Sequence, residues 1–225
     1  MRATASSFGV HAALIDLDGT LLDTAADIAV AVNAMLVEHG RPPLPEALVR
    51  SYIGRGTANL VRRCFGPETA PEGALECFRR HYQQSNGRFA RPFPGVVEGL
   101  ARLREKGLRL ACVTNKPEIF VTPLLKLMKL DGWFDYVVCG DTLARCKPDP
   151  LPLTHTCEHF GIAPQEALMI GDSMNDVEAA RAAGCPVVCV PYGYAEGRQM
   201  RAEDCDAIVP TIEAAAWLVA PARPS

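Results

Sequence analysis

Short apolar runs alternate with amphipathic stretches along most of this chain, and the texture changes only once. Strand-like runs fall near 11–16, 109–114, 135–139, 167–171, 186–190 and 207–209, with helical periodicity between them. Such alternation needs right-handed crossovers and predicts a parallel sheet covered by helices on both faces. Between Asp23 and Pro92 the strand-like runs disappear. Thr24-Ala25-Ala26-Asp27 has the form of a capping box, Ile28, Val32, Met35 and Leu36 recur on one helical face, and Gly40 with Pro42-Pro43 ends that helix. Three further helical segments, near 45–53, 57–65 and 71–86, are punctuated by Gly54, Gly56, Gly66 and Gly87. The pattern predicts a helical cap domain over 23–92, inserted into an α/β core made of 10–22 and 93–221, with flexible tails over 1–9 and 222–225. Pro123 falls inside a helix expected over 117–130 and should kink it or delay its start.

The chemistry gathers where apolar runs stop. Leu14-Ile15-Asp16-Leu17-Asp18-Gly19-Thr20-Leu21-Leu22 places two carboxylates at the end of a buried-type strand. Charge there costs free energy unless a cation such as a metal ion compensates it. Taken alone, Asp-x-Asp is as easily a solvated turn. Three later segments change that: Thr114-Asn115 after the apolar run 108–113, then Lys147-Pro148-Asp149-Pro150, then Gly171-Asp172-Ser173-Met174-Asn175-Asp176 after Leu168-Met169-Ile170. A hydroxyl, a lysine and two more carboxylates thus appear in order, three of the four segments directly after strand-like runs.

With 225 residues the chain can bury a sizeable core. A net charge of −3 argues against a nucleic-acid-binding surface as the main activity, and no apolar window is long enough to span a membrane. The first nine residues lack the apolar centre of a secretory signal, so a cytoplasmic protein is expected. Nine scattered cysteines, without the spacing of a disulfide framework, point to reduced thiols. His155-Thr156-Cys157-Glu158-His159 matches a zinc-peptidase pattern, but helical projection puts Leu153, Cys157 and Phe160 on the apolar face and both histidines on the opposite one. An ordinary exposed face is the expectation there.

The four chemistry-bearing segments together resemble the haloacid dehalogenase-like superfamily, in particular its phosphatases with a helical cap between the first and second motifs, such as the phosphoglycolate phosphatases. The resemblance runs from about Val10 to about Val219. It implies a Rossmann-like, doubly wound α/β sheet of order 3-2-1-4-5-6, whose switch point would gather Asp16, Asp18 and Asp172 in one crevice. It implies Mg²⁺ held by the Asp16 carboxylate, the Asp18 backbone carbonyl and Asp172, with Asp176 in support. Asp16 would be the nucleophile and Asp18 the acid and base. Lys147 would supply fixed positive charge, and Thr114 with the Asn115 backbone would donate to phosphoryl oxygens. Gly19 and Thr20 are expected beside the substrate, although Thr20 could equally do no more than satisfy its turn. Asp176 could instead cap the helix that follows it, and Asp149 is read as helping to start its own helix.

The implied substrate is a small phosphorylated metabolite, 2-phosphoglycolate first, handled by a monomer or homodimer without nucleic acid or membrane. Rivals on the same core are an amino-sugar 6-phosphate phosphatase, a sugar-phosphate mutase and a non-catalytic phosphate-binding regulatory module. Loss of Asp16, Asp18 or Lys147 would favour the last, and none is missing. Arg55, between two glycines in a cap loop, is expected to read the substrate carboxylate, since a guanidinium offers two-pronged donor geometry. The alternative is that Arg55 is solvated and the glycines only turn the chain.

Overall fold

Ala12–Ile15 (β1) carries no charge and is buried at every position, the condition of a strand covered on both faces. Its side chains alternate between two apolar clusters, Ala13 and Ile15 entering one and Ala12 and Leu14 the other. In the computed structural model, which describes residues 8–66 and 69–220, β1 is followed by a two-residue strand, β2 (Leu22–Asp23), and four helices, α1 (Ala25–Glu38), α2 (Glu46–Arg50), α3 (Gly56–Cys64) and α4 (Ala74–Ser85). The chain returns through β3 (Arg91–Pro92), which pairs antiparallel with β2. It then alternates: α5 (Val96–Glu105), β4 (Arg109–Val113), α6 (Glu118–Leu127), β5 (Tyr136–Val138), α7 (Leu151–Phe160), β6 (Ala167–Gly171), α8 (Met174–Ala183), β7 (Val187–Cys189), β8 (Ala207–Ile208) and α9 (Ile212–Trp217).

The main sheet has the order β5-β4-β1-β6-β7-β8 with every pair parallel. Counted along the six core strands, that is 3-2-1-4-5-6. The strand order reverses at β1, so the loops after β1, β4 and β6 face one crevice at their carboxyl ends.

The four inserted helices have an apolar cluster of their own, built on Ile28, Val32, Leu36, Leu60, Phe78 and Tyr82, into which the rest of the chain sends Phe120 and Tyr194. α1 packs chiefly against α4. The expected capping box at Thr24 does not form. Thr24 Oγ1 donates instead to Asp18 Oδ1 at 2.7 Å. The Asp27 carboxylate, fully buried, accepts the backbone N–H groups of Gly87 (2.9 Å), Phe89 (2.8 Å) and Ala90 (3.1 Å). A carboxylate at the right spacing for a cap is thus spent on a longer-range task, tying the start of α1 to the segment that leads back into β3.

Three smaller expectations meet the structure differently. α6 runs from Glu118 to Leu127 straight through Pro123. Tails 1–7 and 222–225 lie outside the described residues, but Phe8 forms a parallel bridge with Val219 and packs against the core. His155 Nε2 lies 2.9 Å from the Tyr136 hydroxyl and His159 stacks on the same ring at 3.8 Å, so both histidines dress an aromatic edge. All nine cysteines are free thiols, and no described helix is long and apolar enough to cross a membrane.

Candidate active site

Asp16 is the first residue past β1, Thr114 the first past β4, and Asp172 the first past β6. The sheet register therefore sets these three side by side at the switch point; the resemblance implied the crevice for Asp16, Asp18 and Asp172. Past Asp16 the chain turns sharply, with Gly19 at φ 90° and its N–H on the Leu22 carbonyl. A Cβ at Gly19 would stand 2.4 Å from Asp172 Oδ2, and one at Gly193 would stand 2.2 Å from the same atom. Both glycines are present because Asp172 needs the space. Asp172 is further held by the Thr20 hydroxyl at 3.2 Å and by the N–H groups of Tyr194 and Ala195.

Thr20 and Gly19, expected beside the substrate, stand behind Asp172 and line neither hollow of the site. Asp176 does what a helix-starting residue does: its Oδ2 accepts from the Ser173 N–H and hydroxyl at 3.1 and 2.9 Å, completing the capping box of α8. Its Oδ1 nevertheless accepts from Lys147 Nζ at 2.7 Å, and the same ammonium reaches Asp16 Oδ1 at 2.8 Å.

Asp16, Asp172 and Asp176 each present an oxygen within 4.8 Å of the others, all buried. One ammonium, bonded to Asp16 and Asp176, faces three carboxylates, and the imbalance is visible in the acidities of Asp16 and Asp172. Burial pushes the Asp16 carboxyl well above the usual carboxylate range, with Asp176 and Asp172 adding to the rise and Lys147 opposing it. Burial and then Asp176 lift Asp172 to about 7. For Lys147 burial works against the ammonium, but Asp16 and Asp176 outweigh it and hold its pKa above the ordinary lysine value. One divalent cation would offset the surplus negative charge, and an all-oxygen donor set suits Mg²⁺.

A cavity of about 50 Å³ opens from Asp16 and Asp18 toward the inserted helices. Its floor is polar, formed by Asp16, Asp18, Thr114, Asn115 and Lys116, and its roof is mostly apolar, from Ile28, Ile53, Leu60 and Phe78. A smaller hollow shares Asp16, Asp18, Ile53 and Gly54 with it and continues to Lys147, Asp172 and Asp176. The Asn115 amide donates to the Gly54 carbonyl (2.9 Å) and the Lys147 carbonyl (2.8 Å), joining the roof loop to the lysine segment. Arg55 is not brought into this cavity. Its Nε donates to both carboxylate oxygens of Glu196 at 3.1 Å and its side chain is 48% exposed, while the flanking Gly54 and Gly56 do line the hollow.

Two polar groups at the site escaped the sequence reading. Lys116 is buried, with Nζ 2.9 Å from Asp18 Oδ1 and donating also to the Tyr82 hydroxyl. A lysine directly after Thr114-Asn115 was a signal, since that segment already carried the chemistry. Tyr194 had no such mark: its hydroxyl accepts the Thr24 N–H and donates to Asp23 Oδ1 (2.9 Å), while its own N–H holds Asp172.

The family model for haloacid dehalogenase-like hydrolases matches residues 13–190. A phosphoglycolate phosphatase of Thiobacillus denitrificans is 49% identical, over 93% of this chain and 96% of its own length, and one of Nitrosospira multiformis is 50% identical over the same shares. Among solved structures, that of a predicted phosphoglycolate phosphatase from Haemophilus somnus superposes with a TM-score of 0.84 at 33% identity, covering 91% of this chain and 96% of that one. The crevice geometry, the match over most of the chain and the high identity converge: this chain belongs to the haloacid dehalogenase-like hydrolase family.

Proposed function

We propose that this chain is a cytoplasmic Mg²⁺-dependent phosphatase that hydrolyses 2-phosphoglycolate to glycolate and phosphate through a phosphorylated Asp16. The observation that carries the reading is the buried group of Asp16, Asp172, Asp176 and Lys147 opening into a small, capped cavity. The relatives' names supply the substrate. Asp16, the Asp18 backbone carbonyl and Asp172, steadied by Asp176, would hold Mg²⁺. Bound there, the ion screens the phosphoryl charge from the carboxylates and polarises its oxygens.

The chain's own residues account for the remaining chemistry. Lys147 fixes one Asp16 oxygen, leaving the other to attack phosphorus. As the bond from phosphorus to the ester oxygen breaks, Asp18 delivers a proton to that oxygen and glycolate leaves. Asp18 then takes a proton from the water that attacks the aspartyl phosphate, which restores Asp16 and frees phosphate. Thr114 and the Asn115 backbone, which line the cavity, would donate to the phosphoryl oxygens.

The inserted helices, residues 23–92, act in this reading as the cap that closes over the leaving group. The small volume of the cavity and its mostly apolar roof support a small leaving group over a sugar, and so disfavour the mutase and amino-sugar readings. Arg55 would reach substrate only by leaving Glu196. A panel of phosphorylated metabolites assayed for phosphate release with and without Mg²⁺ tests the proposal. Preference for a hexose phosphate, or release without the metal, would overturn it.

A further inference from the structure

Resting on that phosphatase reading, we infer that Lys116 and Tyr82 form the subsite that recognises a substrate carboxylate, making the enzyme selective for short acids phosphorylated on the carbon next to the carboxyl group. Lys116 follows β4 and Tyr82 lies on α4, so one donor comes from each side of the cavity, and both line it. The Lys116 ammonium has three hydrogens, and among the described residues its partners are Asp18 and the Tyr82 hydroxyl. Two of its contacts go to the two oxygens of one carboxylate, so a ligand carboxylate would take one N–H by replacing a single Asp18 oxygen. The Tyr82 oxygen accepts from Lys116, and its own proton has no acceptor among the described residues. Burial first, and then Asp18 and Asp27, keep that phenol protonated far above neutral pH. An ammonium N–H and a phenol O–H side by side are the complement of a carboxylate.

Spacing singles out the substrate. Asp18 is the group that protonates the ester oxygen, and the Lys116 ammonium lies 2.9 and 3.1 Å from its two carboxylate oxygens. A carboxylate served by Lys116 must therefore begin close to the ester oxygen. In 2-phosphoglycolate one methylene separates the two. The same cavity is lined by Ile28, Leu60 and Phe78, whose apolar side chains favour a short leaving group with few hydroxyls. Arg55, the cation the sequence put forward for the carboxylate, is engaged by Glu196 and does not line the cavity.

The test separates binding from turnover. In an Asp16→Asn background with Mg²⁺, calorimetric titration compares 2-phosphoglycolate with ethyl phosphate, which has the same chain length and no carboxylate. The acid is expected to bind roughly 10-fold or more tightly, the worth of one charge-assisted contact, with that preference falling to within about twofold in Lys116→Met and by about threefold in Tyr82→Phe. No preference in the parent, or a preference unchanged by both substitutions, overturns the subsite. Tyr82→Phe, which keeps the ring, decides the matter if Lys116→Met does not fold. Phosphate release by the wild-type protein is read separately: its absence from every ester would sink the phosphatase reading while leaving the binding comparison intact.

Discussion

Asp16 and Asp172 hold protons in the folded protein that they would release when unfolded, and this fixes the sign of a pH effect. Both carboxyls are raised above their ordinary value of 3.8, Asp172 to about 7. Without metal, the stability they contribute is full below about pH 4 and is lost as pH rises through about 7. Mg²⁺ competes with the same protons, so its stabilising effect must grow over that window. Thermal melts in chelator and in millimolar Mg²⁺ should differ by about 5 °C more at pH 8 than at pH 5. A Mg²⁺ shift that is constant or shrinks with rising pH would remove these carboxylates as the ligands. Asp18 gives a second prediction at this scale. Asp18→Asn should slow alkyl phosphates far more than aryl phosphates, by roughly 100-fold against less than 10-fold, because a phenolate leaves without a proton. Rapid-quench measurement of leaving-group release checks it, and equal losses would end the general-acid role. These carboxylates were legible because each follows an apolar run. Lys116 was passed over although it sits one residue beyond such a segment, and Tyr82 reads as an ordinary core aromatic of an amphipathic helix until α4 is packed against the sheet.

At the scale of elements, the junction between the helical insert and the sheet rests on a few polar contacts. The β2–β3 pair holds the two connections together, the Asp27 carboxylate ties α1 to residues 87–90, and Tyr194 pins Asp23 and Thr24 beside the Asp172 loop. Asp27→Ala leaves three backbone N–H groups without their acceptor and should cost about 3 kcal/mol in chemical denaturation; a loss under about 1 kcal/mol would mean water replaces the carboxylate. Sequence spacing correctly located every inserted helix, yet it assigned Thr24 and Asp27 to a local cap. A capping box and a long-range anchor use the same residue types, and only the return of the chain at Gly87 distinguishes them. Arg55 likewise pairs with Glu196, 141 residues away, a partner no local pattern reveals. Being half exposed, that pair is worth at most about 1 kcal/mol. Arg55→Ala should therefore lower kcat/KM for 2-phosphoglycolate and ethyl phosphate by the same factor, below about fivefold. A loss confined to the acid would bring Arg55 back to the carboxylate.

For the molecule as a whole, the alternation of apolar runs and helical stretches foretells a parallel sheet covered on both faces, while the strand order and the place of the crevice come from the family resemblance that the four motif segments carry. The shape of the cavity does not. It depends on how α1, α3 and α4 pack over the sheet edge, and Ile28, Leu60 and Phe78 would read as core residues under any arrangement of those helices. The central claim is that Mg²⁺ and the Asp16 carboxylate together are needed to break the phosphate ester. Steady-state phosphate release from 2-phosphoglycolate, compared among wild-type protein with Mg²⁺, the same protein in chelator, and Asp16→Asn with Mg²⁺, addresses it most directly. Both changes are expected to lower the rate by roughly 1,000-fold or more. Wild-type turnover surviving in chelator, or in Asp16→Asn, would contradict it.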